Sequence, residues 1–117
     1  DLRGAEVTYE CTSDRSAWVG RIVRLTVDGA TGKVTAGDDY TPPTTATYKI
    51  LAKTSSSVTF QTIGVVPPTT YYGEEPVLVV YRKVGSEYVY IGIAGLAVDD
   101  VVHAYIAGGV PQVIVLP

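Results

Sequence analysis

The chain has 117 residues, 46% of them hydrophobic and only 18% charged, with a net charge of −3. That length suffices for one self-burying domain, 1–117, and the acidic balance gives no footprint for a polyanion, so nucleic acid is not an expected partner. The lone cysteine, Cys11, excludes an internal disulfide and a CxxC zinc site, and no uninterrupted apolar stretch approaches the ~20 residues of a spanning helix, so no membrane is expected either.

The sequence contains neither Met nor Asn. Asp1 is therefore expected to be a processed or trimmed start, and no basic region followed by an apolar run marks a signal peptide among these residues. Scarcity of thermolabile residue types is a habit of proteins from hot environments, and thermostability is the expectation it raises; the missing Lys and Glu enrichment and the labile Asp28-Gly29 pair argue the other way.

In chain order, "AEVTYECT" alternates Ala5, Val7, Tyr9 and Cys11 against Glu6, Thr8, Glu10 and Thr12, a period of two that predicts a half-buried strand over 5–11 with Cys11 on its apolar face. "TSDRS" (12–16) is a turn, because its side chains hydrogen-bond the local backbone. "AWVGRIVRLTV" (17–27) predicts a second strand with a bulge near Gly20, since Arg21 and Arg24 otherwise fall on opposite faces. "DGATG" (28–32) has hairpin length and leads into a strand at 33–35. "AGDDYTPPTT" (36–45) is expected to be a long loop.

"TYKILAK" (47–53) and "VTFQTIGVV" (58–66), joined by "TSSS", form an expected hairpin with Tyr48 and Ile50 on one face of the first strand and Val58 and Phe60 on one face of the second. "PPTTYYGEEP" (67–76) is expected to be a second long loop carrying Tyr71 and Tyr72. "VLVVYR" (77–82) is apolar on both faces, as a central covered strand would be. Strands at 88–93, 101–106 and 110–116 follow, separated by Gly-containing turns; the β-branched run in "VVHAYI" argues against a helix there. Eight or nine short strands at this spacing predict an all-β fold, either a small closed barrel or a two-sheet sandwich.

Candidate chemistry is sparse. His103 is the only imidazole, so any histidine-assisted acid–base scheme must pass through it; a pair with Cys11 is conceivable, but a partly buried strand histidine is the simpler reading. The acidic residues Asp28, Asp38, Asp39, Glu74, Glu75, Asp99 and Asp100 lie in or beside turns without the spacing of a calcium-binding loop. No P-loop, GxSxG or HExxH occurs. The reading is of a non-enzyme with no catalytic residues, cofactor or metal. The nine tyrosines are mostly what strand-rich composition supplies, but Tyr40, Tyr71 and Tyr72 fall in the expected long loops, where an aromatic body with a polar tip suits an interface.

Two segments resemble a known group. "VGRIVRLTVDGATGKVTAGDD", through Gly20, Val23, Leu25, Gly32, Lys33, Val34 and Thr35, and "YVYIGIAGLAVDDVVHAYIAGGVPQVIVL", through Gly92, Ile93, Ala94, Gly109, Val110 and Val113, look like the β-rich decoration, or cement, proteins on the outside of tailed-phage capsids. The likeness covers about half the chain and departs from the pattern at "AVDDVV", which lacks the turn glycine, and at "PPTTYYGEEP". It implies a structural protein of the virion surface that binds the major capsid protein at subunit junctions or other copies of itself, as a homo-oligomer such as a trimer. Leu2, Trp18, Tyr40, Tyr71 and Tyr72 are the contact residues that reading selects.

Two rivals stand beside it. One is a subunit of an extracellular filament or surface layer, in which an apolar strand, 5–11 or 110–116, completes a neighbour's sheet. The other is a carbohydrate-binding module that stacks sugar on Tyr71, Tyr72 and Trp18.

Overall fold

The computed structural model describes residues 7–117. Its regular structure is β apart from 3-10 turns at Ser16–Trp18 and Ile93–Gly95. Nine strands occur among the described residues: β1 (Val23–Val27), β2 (Val34–Asp39), β3 (Tyr48–Lys53), β4 (Ser57–Thr62), β5 (Thr70–Glu74), β6 (Val79–Val84), β7 (Glu87–Tyr90), β8 (Val101–Ala107) and β9 (Val110–Leu116). They make a two-stranded sheet, β1-β2, and a seven-stranded sheet ordered β5-β4-β3-β8-β9-β6-β7. The all-β expectation is met. The larger sheet does not close on itself, which removes the barrel and leaves a sandwich-like arrangement. Two compact units divide between Thr41 and Pro42.

The first unit is built on the antiparallel β1-β2 hairpin, which pairs Val23 with Asp39 and Leu25 with Gly37 and carries an irregularity between Thr26 and Val27. Its turn is held by Asp28, whose carboxylate accepts from the Ala30 N–H at 2.9 Å and whose carbonyl accepts from the Gly32 N–H at 2.8 Å. The strand expected from residue 17 begins only at Val23, because Ser16–Trp18 close a 3-10 turn and the Arg21 N–H returns to the Trp18 carbonyl. β2 in turn runs through Asp39, past the start of the expected loop: Ala36, Gly37, Asp38 and Asp39 favour strand poorly, but each finds a partner on β1, and pairing overrides local preference.

The strand expected over 5–11 is not formed by the residues described. Cys11 makes only an isolated parallel bridge with Val34, and its side chain is exposed. One bridge offers no sheet face to bury it against.

The second unit buries the core. Ile50, Val58 and Phe60 from β3 and β4 meet Leu78, Val80, Val102, Ala104 and Ile114 from the other half of the sheet, with Ile93 and Leu96 beneath. The alternation that places Ile50, Val58 and Phe60 inward is the one read from sequence, and each such buried side chain contributes roughly 1.5–3 kcal/mol. The halves β5-β4-β3 and β8-β9-β6-β7 are joined by the ladder pairs Tyr48 with Val102 and Lys49 with Val101, continued by the Ile50 N–H donating to the Asp100 carbonyl at 3.0 Å and the Asp99 N–H to the Ile50 carbonyl at 2.8 Å. This short seam lets the sheet curl until β5 approaches β9, where a β-carbon at Gly73 would stand 3.1 Å from Pro111.

Several segments differ from expectation, among them the strand expected over 58–66, which ends at Thr62 and leaves 63–69 as a loop. "PPTTYYGEEP" is not a loop throughout: the prolines at 67, 68 and 76 leave Thr69–Glu75 free to donate, and β5 pairs with β4 from Thr70 to Glu74. β9 lies between β8 and β6, antiparallel to the first and parallel to the second. It has no free edge, so 110–116 cannot complete a neighbour's sheet.

Candidate interaction surfaces

The five contact residues selected from sequence have different fates. Leu2 lies outside the described residues. Trp18, on the 3-10 turn of the first unit, is half-buried, with its indole seated over Gly37 and Val23, and the Arg15 guanidinium lies 4.8 Å from the ring centroid. Arg15 also donates from Nη2 to the Thr35 carbonyl at 2.9 Å, so the stack is tied to β2. Tyr40 directly follows β2; its backbone N–H donates to the Ile22 carbonyl at 2.8 Å, and Arg24 stands 5.8 Å from its ring. Trp18 thus sits on a 3-10 turn and not on the strand expected over 17–27, and Tyr40 is tied to the hairpin where a loop side chain is expected.

Beside them the hairpin leaves apolar surface uncovered. Val19 is 82% exposed, and Leu25 and Val27 on β1 are about two-fifths exposed. A two-stranded ribbon has only one sheet neighbour per strand and cannot bury both faces of its own residues. Its end is fixed electrostatically: Arg21 Nε donates to Asp39 Oδ2 at 2.8 Å, and Asp39 Oδ1 accepts from the Thr41 N–H at 2.9 Å. Burial alone would raise the Asp39 carboxyl, but the hydrogen bonds from Thr41 and the Arg21 cation together hold it below the ordinary aspartate value. Asp14 is lowered as well, chiefly by the backbone hydrogen bond from Ser16.

In the second unit Tyr71 and Tyr72 are consecutive on β5, so they point to opposite faces and cannot form one platform. Tyr72 is 58% exposed, and its hydroxyl donates to Glu74 Oε2 at 3.4 Å. Tyr71 turns inward and stacks on Phe60 at 5.7 Å with 29° between the rings, while Tyr48 meets it edge-on at 6.1 Å. Burial, and then the neighbouring Tyr71, push the Tyr48 phenol above its ordinary value.

These two rings belong to a cleft of about 460 Å3 whose other walls include Pro43, Tyr105, Ile106 and Gly109. No Asp, Glu, Lys, Arg or His is among its lining residues. Among the described residues, neither the Tyr48 nor the Tyr71 hydroxyl has a hydrogen-bond partner within the protein.

No family model, curated protein or solved structure matches the chain. The geometry therefore carries the reading. His103 is half-buried on β8, with Nδ1 2.8 Å from the Ala46 carbonyl, and since a carbonyl can only accept, Nδ1 is the donor. It borders a pocket of about 170 Å3 together with Pro42, Lys83, Tyr88, Val115 and Pro117, and no Asp or Glu side chain lines that pocket. Among the described residues no three His, Cys, Asp or Glu side chains gather as a metal site would require, and no helix is long and apolar enough to cross a membrane.

Sequence reasoning missed Tyr48 and Tyr105 as surface-forming residues, because a strand tyrosine is ordinarily accounted for by composition. The signal was the pairing of β3 with β8, which sets them on neighbouring strands, and strand order is not written in any single segment.

Proposed function

We propose that this protein is a non-enzymatic structural component of a virion surface, a capsid decoration protein that binds at junctions between capsid subunits. The observation that carries this reading is the outward-facing apolar surface of the first unit: Val19, Leu25 and Val27 fall within "VGRIVRLTV", the segment that resembles cement proteins, and they stand in water where a docking partner would cover them. The glycines of that resemblance support it. Gly20, Gly32, Gly92 and Gly109 all adopt positive φ, so the shared pattern corresponds to backbone turns and not to composition alone.

A decoration protein acts by linkage. It binds the expanded shell and not its open or burst forms, and so lowers the free energy of the shell it coats. Each copy has its entropic cost of docking subtracted from roughly 25 cal/mol per Å2 of apolar area, so single contacts are modest and reinforcement comes from many copies. Such a role needs folded β structure that carries adhesive patches, and the first unit presents one in Val19, Leu25 and Val27.

The test is a mixture of the purified protein with expanded shells of its source virus. The expected result is saturable binding visible by electron microscopy and a rise in the temperature at which the shells rupture. Shells that neither bind the protein nor gain thermal protection would remove the proposal.

A second reading, assembly into filaments by strand addition, draws on the unpaired outer edges of β5 and β7. Micrographs of the protein alone separate the two, since fibres that form without any shell favour the filament.

A further inference from the structure

The loop from β4 to β5 ends in an unusually apolar tip. Val65 is half exposed, Val66 is 95% exposed, and Pro67 and Pro68 follow. No Asp, Glu, Lys, Arg or His occurs anywhere between residues 54 and 73. Loop tips are ordinarily polar, and an apolar one held in water marks a contact waiting for a partner.

The tip springs from the rim of the tyrosine cleft. Thr62, the last residue of β4, pairs with Tyr48, while Phe60 pairs with Tyr71, and the Ile63 N–H donates to the Thr47 carbonyl at 3.1 Å. Yet no residue from 63 to 69 lines the cleft. An apolar projection and an aromatic recess thus lie side by side on one unit, and the projection does not fill its own recess.

We infer that the protein pairs with a second copy of itself, each copy inserting its Val65–Pro68 tip into the cleft formed by Tyr48, Tyr71 and Tyr105 of the other. The electrostatics favour this occupant: tip and cleft are both uncharged, so neither selects an acidic or basic partner, and no ion is buried when they meet. The surfaces also suit each other. Tyr71 stacks on Phe60 and also lines the cleft, and Pro43 already contributes a pyrrolidine ring to the lining. Valine and proline offer only C–H surface, which aromatic faces accept without hydrogen bonds. Because projection and recess are neighbours, one twofold rotation engages both at once, and an isologous contact closes without growing.

A neutral sugar fits less well. Besides the phenol hydroxyls, the cleft presents no carboxylate, amide or guanidinium side chain to fix ring hydroxyls. The pairing needs no capsid, so its failure would leave the proposed function standing, and shells that fail to bind would leave the pairing standing.

Sedimentation velocity of the full chain from about 1 μM to about 1 mM tests it. The expected result is a concentration-dependent shift from monomer to dimer mass. Val66→Asp, which places a charge in the contact, is expected to raise the dissociation constant at least about tenfold, and Pro43→Asp to do the same from the cleft side. Both positions are exposed, and circular dichroism melts report whether each variant keeps the fold. A mixture of the two variants is the decisive arm: the first keeps its cleft and the second its tip, so mixed pairs retain one intact contact and associate more strongly than either variant alone. A protein that stays monomeric throughout overturns the inference, as does a dimer indifferent to Val66→Asp. A Val66-dependent trimer or open polymer overturns the twofold exchange, and a monomer whose tyrosine fluorescence is quenched by neutral oligosaccharides gives the cleft to sugar instead.

Discussion

A β-carbon at residue 37 would stand 2.7 Å from the Trp18 ring, so the indole is seated on β2 at the one strand position that lacks a side chain. The same β-carbon would meet Val23 Cγ1 at 2.8 Å, which blocks escape to the other side. Gly37→Ala is expected to lift the indole and destabilise the first unit by about 1–3 kcal/mol, the usual cost of overpacking. Trp18 is the only tryptophan, so its fluorescence in a urea titration reports this unit directly. An unchanged midpoint and emission maximum would show that the ring can slide away freely.

Asp39 predicts a loss of stability in acid. Its folded pKa is depressed, so its contribution is fully present above the ordinary aspartate value, near 4, and disappears as pH falls through the lower folded value. The tryptophan-monitored urea midpoint is expected to drop below about pH 4, and Asp39→Asn to flatten that drop. An equally steep fall in the variant would assign the effect to other carboxylates. The carboxylate is well exposed, and the expected size is a fraction of a kilocalorie per mole.

Tyr48 makes the opposite prediction at the alkaline end. Its folded pKa is raised, so its stabilising effect is whole below the ordinary phenol value near 10 and is lost as pH climbs through the folded one. Tyr48→Phe is expected to remove part of the alkaline slope of the denaturation midpoint. Spectrophotometric titration at 295 nm should show one late-titrating phenol in the parent protein that the variant lacks.

Phe60 is fully buried and touches both Tyr48 and Tyr71, at 5.5 and 5.7 Å between centroids. Phe60→Ala is expected to cost about 3–5 kcal/mol, the range for emptying a packed aromatic site. Because Tyr71 rests on that ring, the variant should also lose near-ultraviolet dichroism from the tyrosines. A milder loss, under about 1.5 kcal/mol, would mean that the core collapses into the space.

The legible part of the fold was the part written in local alternation. Val58 and Phe60 can be set on one face from sequence because Thr59 and Gln61 alternate with them, Ile50 follows from the period of two it shares with Tyr48, and the "TSSS" and "DGATG" turns carry their own side-chain chemistry. Tyr71 and Tyr72 were assigned to a loop because flanking prolines dominate their neighbourhood; the ladder on β4 that they join lies outside that neighbourhood. Ala36–Asp39 were misread in the same direction, having poor strand preference and good partners. Cys11 shows the converse, since alternation around it suggested a buried face and no sheet is there to provide one. The tyrosine cleft was invisible for a further reason: β3 and β8 are remote in sequence, and their adjacency depends on one short seam.

The parallel seating of β9 against β6 has a consequence for how the chain matures during synthesis. The β3-β4-β5 meander and the β6-β7 hairpin are each complete before residue 110 leaves the ribosome, but no strand pairing links β6 to the rest of the sheet until β9 lies between β8 and β6. The nascent polypeptide must therefore carry two half-formed sheets with sticky flanks, and pulse-labelled hydrogen exchange should find the β9-facing amides of β6 protected no earlier than those of β9. Earlier protection of β6 at its β9-facing positions would mean that a different strand holds the place first.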